Sequence, residues 1–100
     1  VFDCILLGIG TDGHTSSLFP GQNYLLISPE TYAVSVNPQT GQQRIALTGL
    51  PIIHANNILF FATGKDKTEI LKEVIKGDDR YPAGYIISRL AKSELFTDCL

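Results

Sequence analysis

Residues 7–21 read LGIGTDGHTSSLFPG. The apolar run VFDCILL at residues 1–7 feeds this stretch. Aliphatic and β-branched residues bounded by glycines predict a buried strand over residues 2–8. Asp12 and His14 then stand in a Gly-rich turn just past the carboxyl end of that strand. In open α/β sheets this is the end where ligands bind. His is the side chain most readily used as a base near neutral pH. Gly10 and Gly13 let the backbone bend tightly and let a ligand come close. The hydroxyls of Thr15, Ser16 and Ser17 either orient a ligand or cap backbone groups, capping being the reading for Ser17.

Outward from the turn, residues 11–30 read as a functional loop with one helical turn near 16–19. The β-branched alternation of residues 31–36 predicts a strand. Asn37-Pro38-Gln39-Thr40-Gly41 is turn chemistry, and residues 44–48 form another short strand. Residues 50–55 suit a short helix, with Pro51 tolerated in its first turn. NILFFAT at 57–63 is a second buried strand. Residues 65–76 predict a helix ended by Gly77, 77–81 a polar connector, 82–91 a second helix and 95–99 a last strand. Buried strands alternating with helices argue a layered, Rossmann-like α/β fold with a largely parallel sheet.

One hundred residues with 44% hydrophobic content suit one small domain or part of one. Eight basic and ten acidic residues are spread without a basic block, so nucleic acid is not an expected partner. No apolar stretch approaches the ~18 residues of a transmembrane helix, so no membrane partner is expected. The chain lacks Met and starts on Val1 inside a strand pattern, which reads as a piece of a longer protein. Cys4 and Cys99 lie in or beside apolar runs and read as buried and reduced, favouring a cytoplasmic setting. The oligomeric state is left open.

Gly8-Ile9-Gly10-Thr11-Asp12-Gly13 is a literal GxGxxG, and Glu30 lies roughly where a ribose-binding acid would. The dinucleotide reading fails because that motif needs a full helix after the glycines. Pro20-Gly21 ends any helix too soon. Asp12 would also set a negative charge beside the diphosphate.

Two cations complete the candidate set. In the helix predicted over 65–76, Ile70, Leu71, Val74 and Ile75 form one stripe. Lys67 falls within that stripe and in the first turn, where the macrodipole disfavours a cation. A bound anion at the helix start would account for it. The alternative is a snorkelling stem over the sheet edge. Asp66 with Glu69 makes a D-x-x-E capping pair, and Lys65 is solvated. Arg44, after Gly41-Gln42-Gln43, suits a phosphate or carboxylate, or is an ordinary surface arginine. His54 reads as structural.

The segment 7–21 resembles the signature of the 6-phosphogluconolactonases, with Ser16 where Ala is common. Arg44-Ile45-Ala46-Leu47-Thr48, Ala55-Asn56-Asn57, Thr63-Gly64-Lys65-Asp66-Lys67 and Pro82-Ala83 resemble later blocks of the same family, in order. The resemblance implies that residues 1–100 are the C-terminal portion of a larger domain, with an N-terminal part and its phosphate loop absent, and that the piece alone is inactive or nearly so. It implies hydrolysis of 6-phospho-D-glucono-1,5-lactone, a step of the oxidative pentose phosphate pathway, with no metal and no cofactor. His14 is then the general base and Asp12 its orienting partner. Lys67 matches the lysine that binds the sugar phosphate, and Arg44 an arginine that contacts substrate, although Gln43 replaces the usual Pro. Gly10, Gly13 and Thr15 complete the implied substrate-binding set. Two rival readings are an amino-sugar phosphate deaminase and a sugar-phosphate-sensing domain. The deaminase needs a carboxylate five residues after the His, where Phe19 stands. The sensing domain could lose the base, whereas Asp12 and His14 are both present.

Overall fold

The computed structural model describes residues 1–100. Three short parallel strands carry the molecule: β1 (Ile5–Leu7), β4 (Ile58–Phe61) and β5 (Glu94–Phe96), in the order β1-β4-β5. Ile5 pairs with Ile58 and Leu7 with Phe60, while Phe60 pairs with Leu95. These residues share one face of the sheet. Helices α1 (Gly49–Ile53), α2 (Thr68–Ile75) and α3 (Pro82–Arg89) supply the residues that cover it. Ile52 of α1, Ile70, Leu71 and Val74 of α2, and Ala83 and Ile86 of α3 join Ile5, Leu7, Ile58 and Phe60 in one core. Phe60 is fully buried, which stabilises the fold by about 1.5–3 kcal/mol relative to an exposed ring. The predicted α/β layering and parallel sheet are both present.

Strands β2 (Tyr32–Val36) and β3 (Gln43–Leu47) stand apart as an antiparallel hairpin. They do not join the parallel sheet. A short Asn37–Gly41 turn returns the chain directly, whereas a parallel neighbour would need a crossover.

Local expectations fail at three places. The predicted helical turn at 16–19 is instead a tight hairpin turn. Leu18 N donates to Thr15 O at 2.8 Å, and Ser16 and Ser17 lie at φ 57° and 66°. Both central residues are left-handed, as a type I′ turn demands, and Ser17 caps no helix. The helix predicted from residue 65 begins with a 3₁₀ turn, Lys65–Lys67, before α2 proper. Asp66 makes no capping bond to either, because Gly64 and the 3₁₀ carbonyls already organise that start. Finally, Cys4 is exposed and Cys99 half-buried, and both are free thiols. Alternation explains Cys4, which precedes the short β1 and so escapes the core.

Candidate active site

The parallel arrangement brings the carboxyl ends of β1 and β4 to the same end of the sheet. An open cleft of about 380 Å³ lies there, lined by Gly8, Ile9, Gly10, His14, Thr15, Ser16 and Lys67. Residues 8–16 follow β1 and Lys67 follows β4. Segments some fifty residues apart therefore meet because their strands are neighbours.

Asp12 and His14 are joined twice. The His14 amide donates to Asp12 Oδ1 at 3.1 Å, and His14 Nδ1 lies 2.5 Å from the same oxygen. An ionised carboxylate can only accept, so Nδ1 carries the hydrogen of that bond. In the neutral imidazole Nε2 is then the nitrogen without a hydrogen, the one that can take a proton. The two side chains remain 31% and 37% exposed, which leaves them open to a small substrate.

The imidazole is held from both sides. Phe19 packs against it with ring centroids 4.8 Å apart and a tilt of 34°. On another side the ring lies so close over Gly10 that a Cβ there would overlap His14 Cε1 and Nδ1. Gly10 N donates to His14 O at 2.9 Å, and Gly13 N to Gly10 O at 2.9 Å. Gly10 thus lines the cleft and also seats the His14 ring.

The other expected residues divide. Lys67 lines the cleft together with His14. Its amide donates to Gly64 O at 3.1 Å, and the Thr68 amide donates to Lys65 O. Those two amides are spent within the 3₁₀ turn. Thr15 is buried and its hydroxyl donates to Gly8 O at 2.7 Å, which ties the turn to the end of β1. Gly13 does not line the cleft. It sits at φ 83° against the ring of Tyr81, which gives it a backbone role.

Arg44 is also absent from the lining. It is exposed on β3, and its Nε and Nη2 bind Gln42 Oε1 at 3.2 and 3.1 Å. The hairpin is a separate sheet, and a partner two residues back satisfies the guanidinium locally. The other end of the hairpin does reach the site, where Ser16 Oγ donates to Leu47 O at 3.3 Å. His54 Nδ1 bonds Leu50 O at 2.8 Å, matching its structural reading. The Gly-rich turn is followed by a three-residue 3₁₀ turn, Asn23–Leu25, and not by the α-helix that a dinucleotide fingerprint requires.

Phe19 and Tyr81 were not singled out by sequence reasoning as site residues. Phe19 had a signal, being the aromatic at the fifth position after His14. Tyr81 had none, since it meets Gly13 only through the tertiary fold, far along the sequence.

The model of the glucosamine-6-phosphate isomerase/6-phosphogluconolactonase family matches residues 1–96. The chain belongs to that family. A 6-phosphogluconolactonase of Aggregatibacter actinomycetemcomitans is 42% identical over 102 residues, covering 98% of this chain and 43% of that protein. The solved structure of devB protein superposes with a TM-score of 0.87 at 37% identity, over 98% of this chain and 42% of that one. The 6-phosphogluconolactonase of Leishmania guyanensis gives a TM-score of 0.81 at 29% identity, over 98% and 39%. The chain therefore spans about two fifths of the length of the family members it matches.

Proposed function

We propose that this chain supplies the general base and a phosphate-binding lysine of a 6-phosphogluconolactonase, as the C-terminal portion of a larger α/β domain. The observation that carries the reading is the Asp12–His14 pair at 2.5 Å in a cleft shared with Lys67. His14 Nε2 takes a proton from water as the water oxygen attacks the lactone carbonyl. The ring C–O bond then breaks, and the departing ring oxygen receives that proton back from the imidazolium. Asp12 holds the ring and stabilises its positive charge between the two steps. A base so placed contributes roughly 10²–10⁴ in rate. Lys67 holds the phosphate away from the reacting carbon, so that remote binding positions the ester. Arg44 is left out of this mechanism. Phe19 favours the lactonase over a deaminase reading, because it puts an apolar ring where that reading needs a carboxylate. No helix is long and apolar enough to cross a membrane.

The test is a chimera in which this chain replaces the matching residues of the Aggregatibacter protein. The chimera is expected to hydrolyse the phosphorylated lactone above its spontaneous opening at controlled pH. His14→Ala should lower turnover by about 10²–10⁴. Lys67→Ala should raise KM for the phosphorylated lactone, a loss of roughly 1.5–3 kcal/mol. It should have little effect on the lactone without phosphate. Unchanged turnover in His14→Ala overturns the general-base assignment. Equal losses on both lactones would make Lys67 a packing residue.

A further inference from the structure

The turn that joins Asp12 to His14 has one residue between them, Gly13, and that residue is gripped from across the molecule. A Cβ at Gly13 would stand 2.6 Å from both Cβ and Cδ1 of Tyr81 and 2.8 Å from its Cγ. The contact is made by the base and face of the ring, not by the phenol. Gly13 also accepts a hydrogen bond from the Ala83 amide at 3.0 Å. Tyr81 is the residue before α3 and Ala83 lies in its first turn. Its own carbonyl accepts from Tyr85 N at 2.9 Å, within the helix start. Behind it, the Arg80 guanidinium stands 5.5 Å from the Tyr81 ring centroid and is bound to Asp78 at 2.6 Å.

These contacts form one chain from a rigid helix to the reactive pair. Ala83 is fully buried in the core, so its amide is a fixed point. Tyr81 and that amide together leave the Gly13 peptide one position. The direction of the Gly13 peptide sets how Asp12 and His14 face each other, because it is the only residue between them. We propose that Tyr81 is a positioning residue: through Gly13 it holds Asp12 against His14 Nδ1, and so fixes the tautomer of the neutral ring with its hydrogen on Nδ1. Its consequence for catalysis rests on the reading of His14 as base, but the contact itself does not.

The chain contains two histidines, and His54 lies outside the cleft lining with its own bond to Leu50. Nitrogen NMR of the imidazoles above their titration range therefore reads His14 against an internal control. The parent should show the hydrogen on Nδ1 of His14. Tyr81→Ala should move His14 toward the Nε2-protonated tautomer and leave His54 unmoved. Tyr81→Phe should match the parent, because the phenol is not used. In the chimera, Tyr81→Ala should lower kcat on the order of 10- to 100-fold with KM little changed, as for a misplaced catalytic group. Should Tyr81→Ala lose its dispersed spectrum, Tyr81→Leu carries the same readout, keeping apolar volume without the flat ring face. A folded variant whose His14 keeps the parental tautomer overturns the proposal. Unchanged turnover in the His14→Ala chimera would instead overturn the base assignment and leave this contact standing.

Discussion

Gly10 shows how much a missing side chain can decide. Its Cα lies under the His14 ring, and any Cβ would overlap two imidazole atoms. Gly10 does not have a left-handed φ, unlike Gly13, so alanine fits its backbone. Gly10→Ala should therefore leave stability within about 1 kcal/mol of the parent. It should displace the imidazole and cost on the order of 10²-fold in turnover of the chimera. Thermal melts beside lactone assays check both halves. A fully active, folded Gly10→Ala would show that the ring has another productive seat. The glycine was legible in the sequence as permission for a ligand to approach. That the closest approach is made by the protein's own histidine was not, because it depends on the side-chain torsions of His14 and on Phe19 filling the space beyond.

At the scale of elements, the turns decide more than the helices and strands they connect. Ser16 and Ser17 hold left-handed backbone, which costs roughly 1–2 kcal/mol for each non-glycine residue. This strain sits beside Asp12 and His14 and is partly offset by the Ser16 bond to Leu47. Local propensity cannot announce such a turn, since it is imposed by the closure from Thr15 to Leu18. The connector before α3 is a second example. Side-chain and then backbone hydrogen bonds from Arg80 hold the Asp78 carboxyl below its ordinary value of 3.8. A carboxyl with a lowered folded pKa contributes stability above its unfolded pKa and loses it as pH falls through the folded one. Arg80→Gln should therefore be less stable than the parent at neutral pH, by a small margin because the guanidinium is exposed. The margin should vanish once both proteins are well below pH 3.8. Urea midpoints of both proteins across that range give the answer. A difference that persists undiminished in acid would mean that Arg80 acts through its packing on Tyr81.

The whole molecule is a slab of 34 × 32 × 18 Å, with helices on one face of its parallel sheet. On the other face Leu6, Phe61 and Phe96 are 68%, 56% and 47% exposed. Leu59 stands between β1 and β5 on that same face, paired with Leu6 and with Glu94. Parallel sheets are ordinarily covered on both faces, and an apolar surface of this kind attracts other apolar matter. The chain studied by itself should bind an apolar dye such as ANS. Leu6→Lys together with Phe61→Lys should remove most of that signal while far-UV circular dichroism is unchanged. Dye binding that survives both substitutions would place the exposed apolar surface elsewhere, with the outer face of the hairpin the next place to look. The alternation of apolar residues, the glycines and the Asp-x-His spacing were enough, without coordinates, to determine an α/β chain and to set Asp12 and His14 in a turn past its first buried strand. Those signals are local, carried by periodicity and by neighbours in sequence. Only the tertiary structure decided that Lys67 shares the cleft, that Arg44 does not, and that Phe19 packs on His14 and Tyr81 on Gly13. Each of those depends on which strands become neighbours and on side chains meeting across dozens of residues, and burial of one common core, not any local rule, sets that geometry.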